Sequence, residues 1–314
     1  MDLREYSLLS IEELERRIRR AREEKNAVLL VHNYQRLEVQ RVADYLGDSL
    51  GLAQEAARTQ AAMIIFCGVD FMAETAKILN PGKRVLFPDL RAGCPMARMI
   101  NADSLREAKQ KYPKAVVVTY VNSTAEVKAL SDICCTSTNA VKIVKWLGDR
   151  QILFTPDRNL AEYCRQQTGA DIIPWPGHCY VHDEFRPADV ETARREHPGA
   201  LFIAHPECRP EVIALADKVS STTGMADYVR DHRDQIAKIG IIIGTEIGLV
   251  EQLQARYPKL PIFALTSGAV CATQKLTTLS KVAWCLENEM NEITLDEEIR
   301  RQAYGAVKRM IELS

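Results

Sequence analysis

The sequence predicts an α/β fold built from three similar α/β/α units with parallel sheets, and three observations lead there. Short, nearly unbroken β-branched or aliphatic runs alternate with polar stretches and helical patterns along all 314 residues. Such runs suit strands covered on both faces, as in a parallel sheet flanked by helices. A set of polar landmarks recurs at intervals of 85 to 92 residues, which gives the chain a threefold internal register. Amphipathic helices with capping signals stand at both ends.

Taken in order, the elements begin at Ser10, where Ser10, Ile11, Glu12 and Glu13 have the spacing of a capping box. Ile11, Leu14, Ile18 and Ala21 follow at helical intervals. The strand-length runs are AVLLV from residue 27, MIIF from 63, RVLF from 84, AVVVTYV from 115 and QILF from 151. They continue with DIIP from 171, ALFIA from 200, KVS from 218, IGIII from 239 and PIFAL from 261. Helical patterns lie between them, among them LGLAQEAA, TNAVKIVKWL and TGMADYVRDH. A second box, Thr294 to Glu297, leads into Ile299, Ala303, Val307 and Ile311 on one face of a last helix. Length alone suggests about two domains. The repeat argues for three: residues 1–98 with 275–314 and both terminal helices, residues 99–182, and residues 183–274.

The repeat is defined by polar residues. His32, Tyr120 and His205 follow the first strand of each unit, in VHNY, TYVN and AHPE, with separations of 88 and 85. Ser49, Ser137 and Thr222 stand 17 residues further on in every case, each ahead of a helical pattern. Asp70, Asp157 and Glu246 follow the next strand, and Cys94, Cys179 and Cys271 come after one more.

Composition narrows the function classes. Forty-one Lys and Arg balance 42 Asp and Glu, which disfavours a surface built to neutralise phosphate backbones. Nucleic acid is not an expected partner. No run approaches a membrane span, and MDLREYSLLSIEELERRIRR is too charged for a signal peptide, so a cytoplasmic protein is expected. Nine scattered cysteines, an odd number, do not form a disulfide framework. There is no GxGxxG after the first strand and no GxxxxGK[ST], so the usual nucleotide loops are missing.

The repeat places chemistry at one end of the sheets. Helix starts at the carboxyl ends of parallel strands offer unpaired N–H groups and a partial positive charge. Three of them facing one centre would form an anion pocket, with Ser49, Ser137 and Thr222 as donors; taken singly, each is an ordinary helix cap. His32, His205, Tyr34, Tyr120 and Glu207 are candidate acid–base or hydrogen-bonding groups. Glu207 shares with His205 one face of an extended segment. Asp70, Asp157 and Glu246 read as structural or supporting.

Cys94, Cys179 and Cys271 follow turns in RAGCP, PGHCY and SGAVC. Three converging thiolates are a clamp for a soft metal centre, and three rather than four would leave one position of a 4Fe-4S cluster open. Zinc is the rival, since His178 and His182 flank Cys179. One cysteine per repeat favours the cluster. Cys67, Cys134, Cys135, Cys164 and Cys285 read as small core residues. Cys208, in HPEC, stands beside the candidate site and its role is open.

At these residues the chain resembles the quinolinate synthase (NadA) family over nearly its whole length. The resemblance is carried by HNYQRLEVQRVADYLGDSLGLAQ, FMAETAKILNP, AGCPMA, YVNS, CTSTNA, FTPDRNLA, WPGHCYVH, HPEC, STTGM, GTEIGL and CATQKLTTL. It implies three similar domains in a pseudo-threefold triangle, and a 4Fe-4S cluster held by Cys94, Cys179 and Cys271 with one open iron acting as Lewis acid. It implies an enzyme of NAD (pyridine nucleotide) biosynthesis, a transferase that condenses iminoaspartate with dihydroxyacetone phosphate to quinolinate, phosphate and water. The enzyme that supplies iminoaspartate is a candidate partner. Substrate-binding motifs fall on His32, Ser49, Tyr120, Asn122, Ser137, His205, Glu207 and Thr222, with Tyr34 beside the pocket. Gln274 stands where many members have Met, and additional cysteines that some members carry after Cys271 are absent. The alternatives are another three-cysteine cluster enzyme, of the diphthamide-synthesis or isoprenoid reductive-dehydroxylation type, and a non-catalytic metal or cluster sensor. HPEC, YVNS and GDSL speak against the enzymes, and the missing basic cluster speaks against the sensor.

Overall fold

The computed structural model describes residues 2–314, and twelve strands form three four-stranded sheets. The first sheet contains β1 (Ala27–His32), β2 (Tyr45–Gly47), β3 (Met63–Cys67) and β4 (Arg84–Leu86), in the spatial order β2-β1-β3-β4. The second contains β5 (Val116–Tyr120), β6 (Ile133–Cys135), β7 (Ile152–Thr155) and β8 (Ile172–Pro174), ordered β6-β5-β7-β8. The third contains β9 (Leu201–Ala204), β10 (Lys218–Val219), β11 (Ile241–Gly244) and β12 (Ile262–Ala264), ordered β10-β9-β11-β12. Every pairing is parallel, and the three orders are the same. These are three similar α/β/α units.

The strands carry apolar residues on both faces because both faces are covered. In the first sheet Val28, Leu30, Ile64 and Phe66 pack against Leu52, Ala53, Ala73 and the last helix at Ala303 and Val307. The alternate residues, Leu29, Val31, Met63 and Ile65, pack against Leu14, Ile18, Val282 and Leu286. The third sheet divides in the same way, with Phe202 and Ile242 on one side and Ile203, Ile241 and Ile243 on the other. Each such side chain, fully buried, contributes about 1.5–3 kcal/mol.

Three local expectations are revised. An additional short helix, Leu3–Ser7, precedes the helix Ile11–Glu24 and is capped by Asp2. The last helix spans Glu297–Glu312, and its cap is Asp296, which accepts the N–H groups of Glu298 and Ile299. Thr294 therefore lies outside the helix, because the carboxylate nearer the first turn takes the free donors. β2 and β6 extend the set of ten expected strands at sheet edges.

The register places the landmarks together. His32 and Tyr120 are the last residues of β1 and β5, and His205 follows β9, so all three stand at the carboxyl end of a central strand. No helix among the described residues is long and apolar enough to cross a membrane.

Candidate active site

The carboxyl ends of the three sheets line one pocket. Its walls include all twelve residues singled out from the sequence: His32, Tyr34, Ser49, Cys94, Tyr120, Asn122, Ser137, Cys179, His205, Glu207, Thr222 and Cys271. Polar groups converging on a partly apolar wall suit a small molecule held at a few points.

Ser49 and Thr222 are the first residues of the helices Ser49–Arg58 and Thr222–Asp231, and neither is the cap. Their neighbours do that work. Asp48 accepts from Gly51 N–H at 2.9 Å, and Ser221 accepts from Gly224 N–H at 3.3 Å. Ser137 lies ahead of the helix Ala140–Leu147, whose Asn139 accepts the N–H of Thr136 at 2.8 Å. None of the three hydroxyls caps its helix: Asp48 and Ser221 cap two of the helices, and Asn139, at the start of the third, makes no side-chain cap bond. Thr222 Oγ1 accepts from Asn33 Nδ2 at 3.1 Å, which joins the third unit to the first. Thr138 donates to Asp48 Oδ2 at 2.8 Å, which joins the second to the first.

His32 and His205 are arranged alike. Each Nδ1 accepts the backbone N–H two residues later, from Tyr34 at 3.2 Å and from Glu207 at 3.3 Å. Burial pulls His32 down to about 4 and His205 to about 3, so both rings are neutral. A neutral ring whose Nδ1 accepts carries its proton on Nε2. Both imidazoles are therefore N–H donors.

Glu207 is held in the opposite sense. Burial alone would raise its carboxyl, but His182 beside it, with hydrogen bonds from His182 and Tyr120, keeps it below the usual carboxylate range. Burial, and then the charge of Glu207, push the Tyr34 and Tyr120 hydroxyls well above their ordinary value, so both keep their protons.

His182 and Thr245 join the site without having been chosen as site residues from the sequence. Tyr34 Oη lies 2.7 Å from Thr245 Oγ1, and Thr245 Oγ1 lies 2.9 Å from His182 Nε2. The other ring nitrogen, Nδ1, is 2.6 Å from Glu207 Oε2. With Nδ1–H donating to the carboxylate, the line Tyr34, Thr245, His182, Glu207 can pass a proton between the pocket and the buried acid. The signal for His182 was its position three residues after Cys179.

The three half-buried thiols of Cys94, Cys179 and Cys271 come from three loops. Burial pushes the Cys94 and Cys179 thiols up. Gly177 in the second loop has no alternative, because a Cβ there would meet Pro156 O at 2.5 Å and Met99 Cβ at 3.3 Å. Cys179, His182 and Glu207 also offer ligand atoms within 4.8 Å of one another. Cys67, Cys134, Cys135, Cys164, Cys208 and Cys285 are buried, and Cys208 Sγ points to Gly244 O at 3.8 Å.

The chain is similar to known proteins over nearly its whole length. A quinolinate synthase of Desulforudis audaxviator is 50% identical over 314 residues, covering 100% of both chains. One from Methanoregula boonei is 50% identical over 300 residues, 96% of this chain and 98% of the relative. One from Dehalococcoides mccartyi is 48% identical over 298 residues, 95% of this chain and 97% of the relative. The family model for quinolinate synthetase A protein, NadA, matches residues 16–312, and the chain belongs to that family of enzymes.

Proposed function

We propose that the chain condenses iminoaspartate with dihydroxyacetone phosphate to give quinolinate, phosphate and water, as a step of NAD biosynthesis. One observation carries the reading. A thiol from each unit reaches the same pocket as two neutral imidazoles, two protonated tyrosines and the buried Glu207.

Cys94, Cys179 and Cys271 would hold a 4Fe-4S cluster. The donor set fits: it is sulfur only, one ligand per unit, half-buried on loops that meet at the pocket. When bound through three thiolates, such a cluster supplies a Lewis acid with one coordination position free for substrate.

The residues of the chain do the rest. One substrate is a dicarboxylate and the other a phosphate ester, so both suit the helix starts and the hydroxyls of Ser49, Ser137 and Thr222. Tyr120, Asn122 and His205 orient the carbon skeleton. Asn122 Oδ1 is buried without a protein partner, and a substrate N–H or O–H would satisfy it. Glu207 moves protons, joined to Tyr34 through His182 and Thr245, and His32 presents Nε2–H to the substrate. The units supporting the site are residues 1–98 with 275–314, 99–182 and 183–274. Because a free imine hydrolyses, the enzyme supplying iminoaspartate is the proposed partner.

The test is anaerobic purification, iron and sulfide analysis, and detection of quinolinate from the two substrates. About four irons per chain, with product, support the reading. A colourless protein that makes no product ends it. A second reading rests on the close grouping of Cys179, His182 and Glu207, which would suit one zinc ion. It leaves Cys94 and Cys271 unused, and one zinc per chain in place of iron would establish it.

A further inference from the structure

Asp70, Asp157 and Glu246 do not line the pocket, yet each holds the cysteine of its own unit by the backbone. Cys94 N–H donates to Asp70 Oδ1 at 3.3 Å, Cys179 N–H to Asp157 Oδ2 at 3.1 Å, and Cys271 N–H to Glu246 Oε1 at 3.1 Å. All three carboxylates stand at the start of the helix that follows the third strand of a unit, counted along the chain. Three units with little sequence in common thus repeat one bond at one position.

The two oxygens have separate tasks in the second and third units. Asp157 Oδ1 caps its helix at Leu160 N–H, 2.7 Å away, while Oδ2 takes the cysteine amide. Glu246 Oε2 takes Gly248 N–H at 2.7 Å, while Oε1 takes the cysteine amide, and Lys275 Nζ pairs with both oxygens at 3.0 and 3.2 Å. Both residues are fully buried. In the first unit one oxygen serves both donors: Asp70 Oδ1 accepts from Phe71 N–H at 2.8 Å and from Cys94 N–H, and Oδ2 pairs with Arg98.

We propose that Asp70, Asp157 and Glu246 are positioning residues for the three-cysteine metal site, each fixing a cysteine loop to the rigid start of a helix in its own unit. This rests on the reading that the three cysteines ligate a cluster. The bond acts on the main chain, so it sets where Sγ stands without touching the metal. Partners that orient metal ligands in this way change metal affinity by about 10–100-fold when removed.

The division of labour supplies the test. Asn has one acceptor oxygen and remains a good helix cap, so Asp157→Asn keeps the helix start and loses the Cys179 amide bond. Glu246→Gln makes the same separation in the third unit but also gives up the ion pair with Lys275, and the effect of that loss alone is read from Lys275→Gln measured beside it. Asp70→Asn keeps both of its amide bonds through one oxygen. Two readouts are needed: amide hydrogen exchange of the cysteine loops in the metal-free protein, and iron release from the cluster-loaded protein to a chelator.

Asp157→Asn and Glu246→Gln are expected to exchange faster at the loops of Cys179 and Cys271, respectively, and to release iron about tenfold faster or more. Asp70→Asn should match the unmodified protein in both. Loop exchange and iron release unchanged in both variants, even with a lowered melting temperature, would overturn the proposal and leave these carboxylates as helix caps. If Asp157→Asn fails to fold, Glu246→Gln decides. If the unmodified protein carries no iron, the cluster reading fails by itself, and loop exchange still decides whether the carboxylates hold the cysteines.

Discussion

His182 Nδ1 lies 2.6 Å from Glu207 Oε2, both side chains are buried, and the His182 ring stacks on His205 with centroids 4.4 Å apart. A carboxylate held this closely by an imidazole can exchange a proton with it. Glu207→Gln should keep the packing and remove the acid. Turnover is expected to fall by about 10²–10⁴-fold with iron content unchanged, measured by steady-state kinetics beside iron analysis. Parallel loss of turnover and iron would assign Glu207 to holding the metal site.

Tyr34→Phe breaks the hydroxyl line at its pocket end and leaves His182, Thr245 and Glu207 in place. The chemical step should slow by about tenfold or more, while KM changes little. A change confined to KM would make Tyr34 a binding group only.

Each of Cys94→Ala, Cys179→Ala and Cys271→Ala removes one of three half-buried thiols. Any one of them should abolish the visible absorbance and the bound sulfide, with the circular dichroism spectrum kept. Cys67→Ala, by contrast, empties a buried position at the end of β3 and should cost stability without cost in iron. Full iron in any of the three loop variants would remove that thiol from the ligand set.

Ser49→Ala takes a hydroxyl from the pocket wall and leaves the Asp48 cap intact. Loss of a hydrogen bond to a charged group costs about 1.5–3 kcal/mol, so a KM about tenfold to a hundredfold higher is expected for one anionic substrate. An unchanged KM for both substrates would return Ser49 to a structural part.

Asp89 gives a pH-dependent contribution to stability. Burial opposes its ionisation, but hydrogen bonds from Arg91 and from Lys281 at 2.6 Å outweigh this and hold the carboxyl far below its ordinary range. A depressed carboxyl stabilises the fold fully above the unfolded value of about 3.9 and loses that contribution as pH falls below it. Asp89→Asn should therefore be less stable by about 1–3 kcal/mol at pH 7, with the gap narrowing below about pH 4. Denaturant melts at both pH values check this, and a gap independent of pH would show a steric origin.

Much of this architecture is legible before any coordinates, because buried parallel strands write themselves as unbroken apolar runs. β2 and β6 escape that rule for different reasons. β2 exposes Tyr45 and Leu46, so it has no burial pattern to read, and β6 has three residues, two of them cysteine. The helix Leu3–Ser7 buries Tyr6 alone, too little for a periodic signal. At the site, residues repeated in all three units stand out, while Thr245 and His182, each special to one unit, carry no repeat signal. Thr245 immediately precedes Glu246, and the corresponding residues before Asp157 and Asp70 are Pro156 and Val69, so comparing the units hides its hydroxyl. His182 has the same difficulty, since the residues three after the other two cysteines are Ala97 and Gln274.

The pocket is a junction, with walls drawn from all three sheets and none able to form it alone. Whatever fills it binds only when the units are folded and seated together, so occupancy and cohesion are linked equilibria. A ligand at a hundred times its dissociation constant adds about 2.7 kcal/mol to the stability of the folded state. Occupancy thereby acts as a keystone, adding to the hydrophobic core that already runs through the first and second sheets.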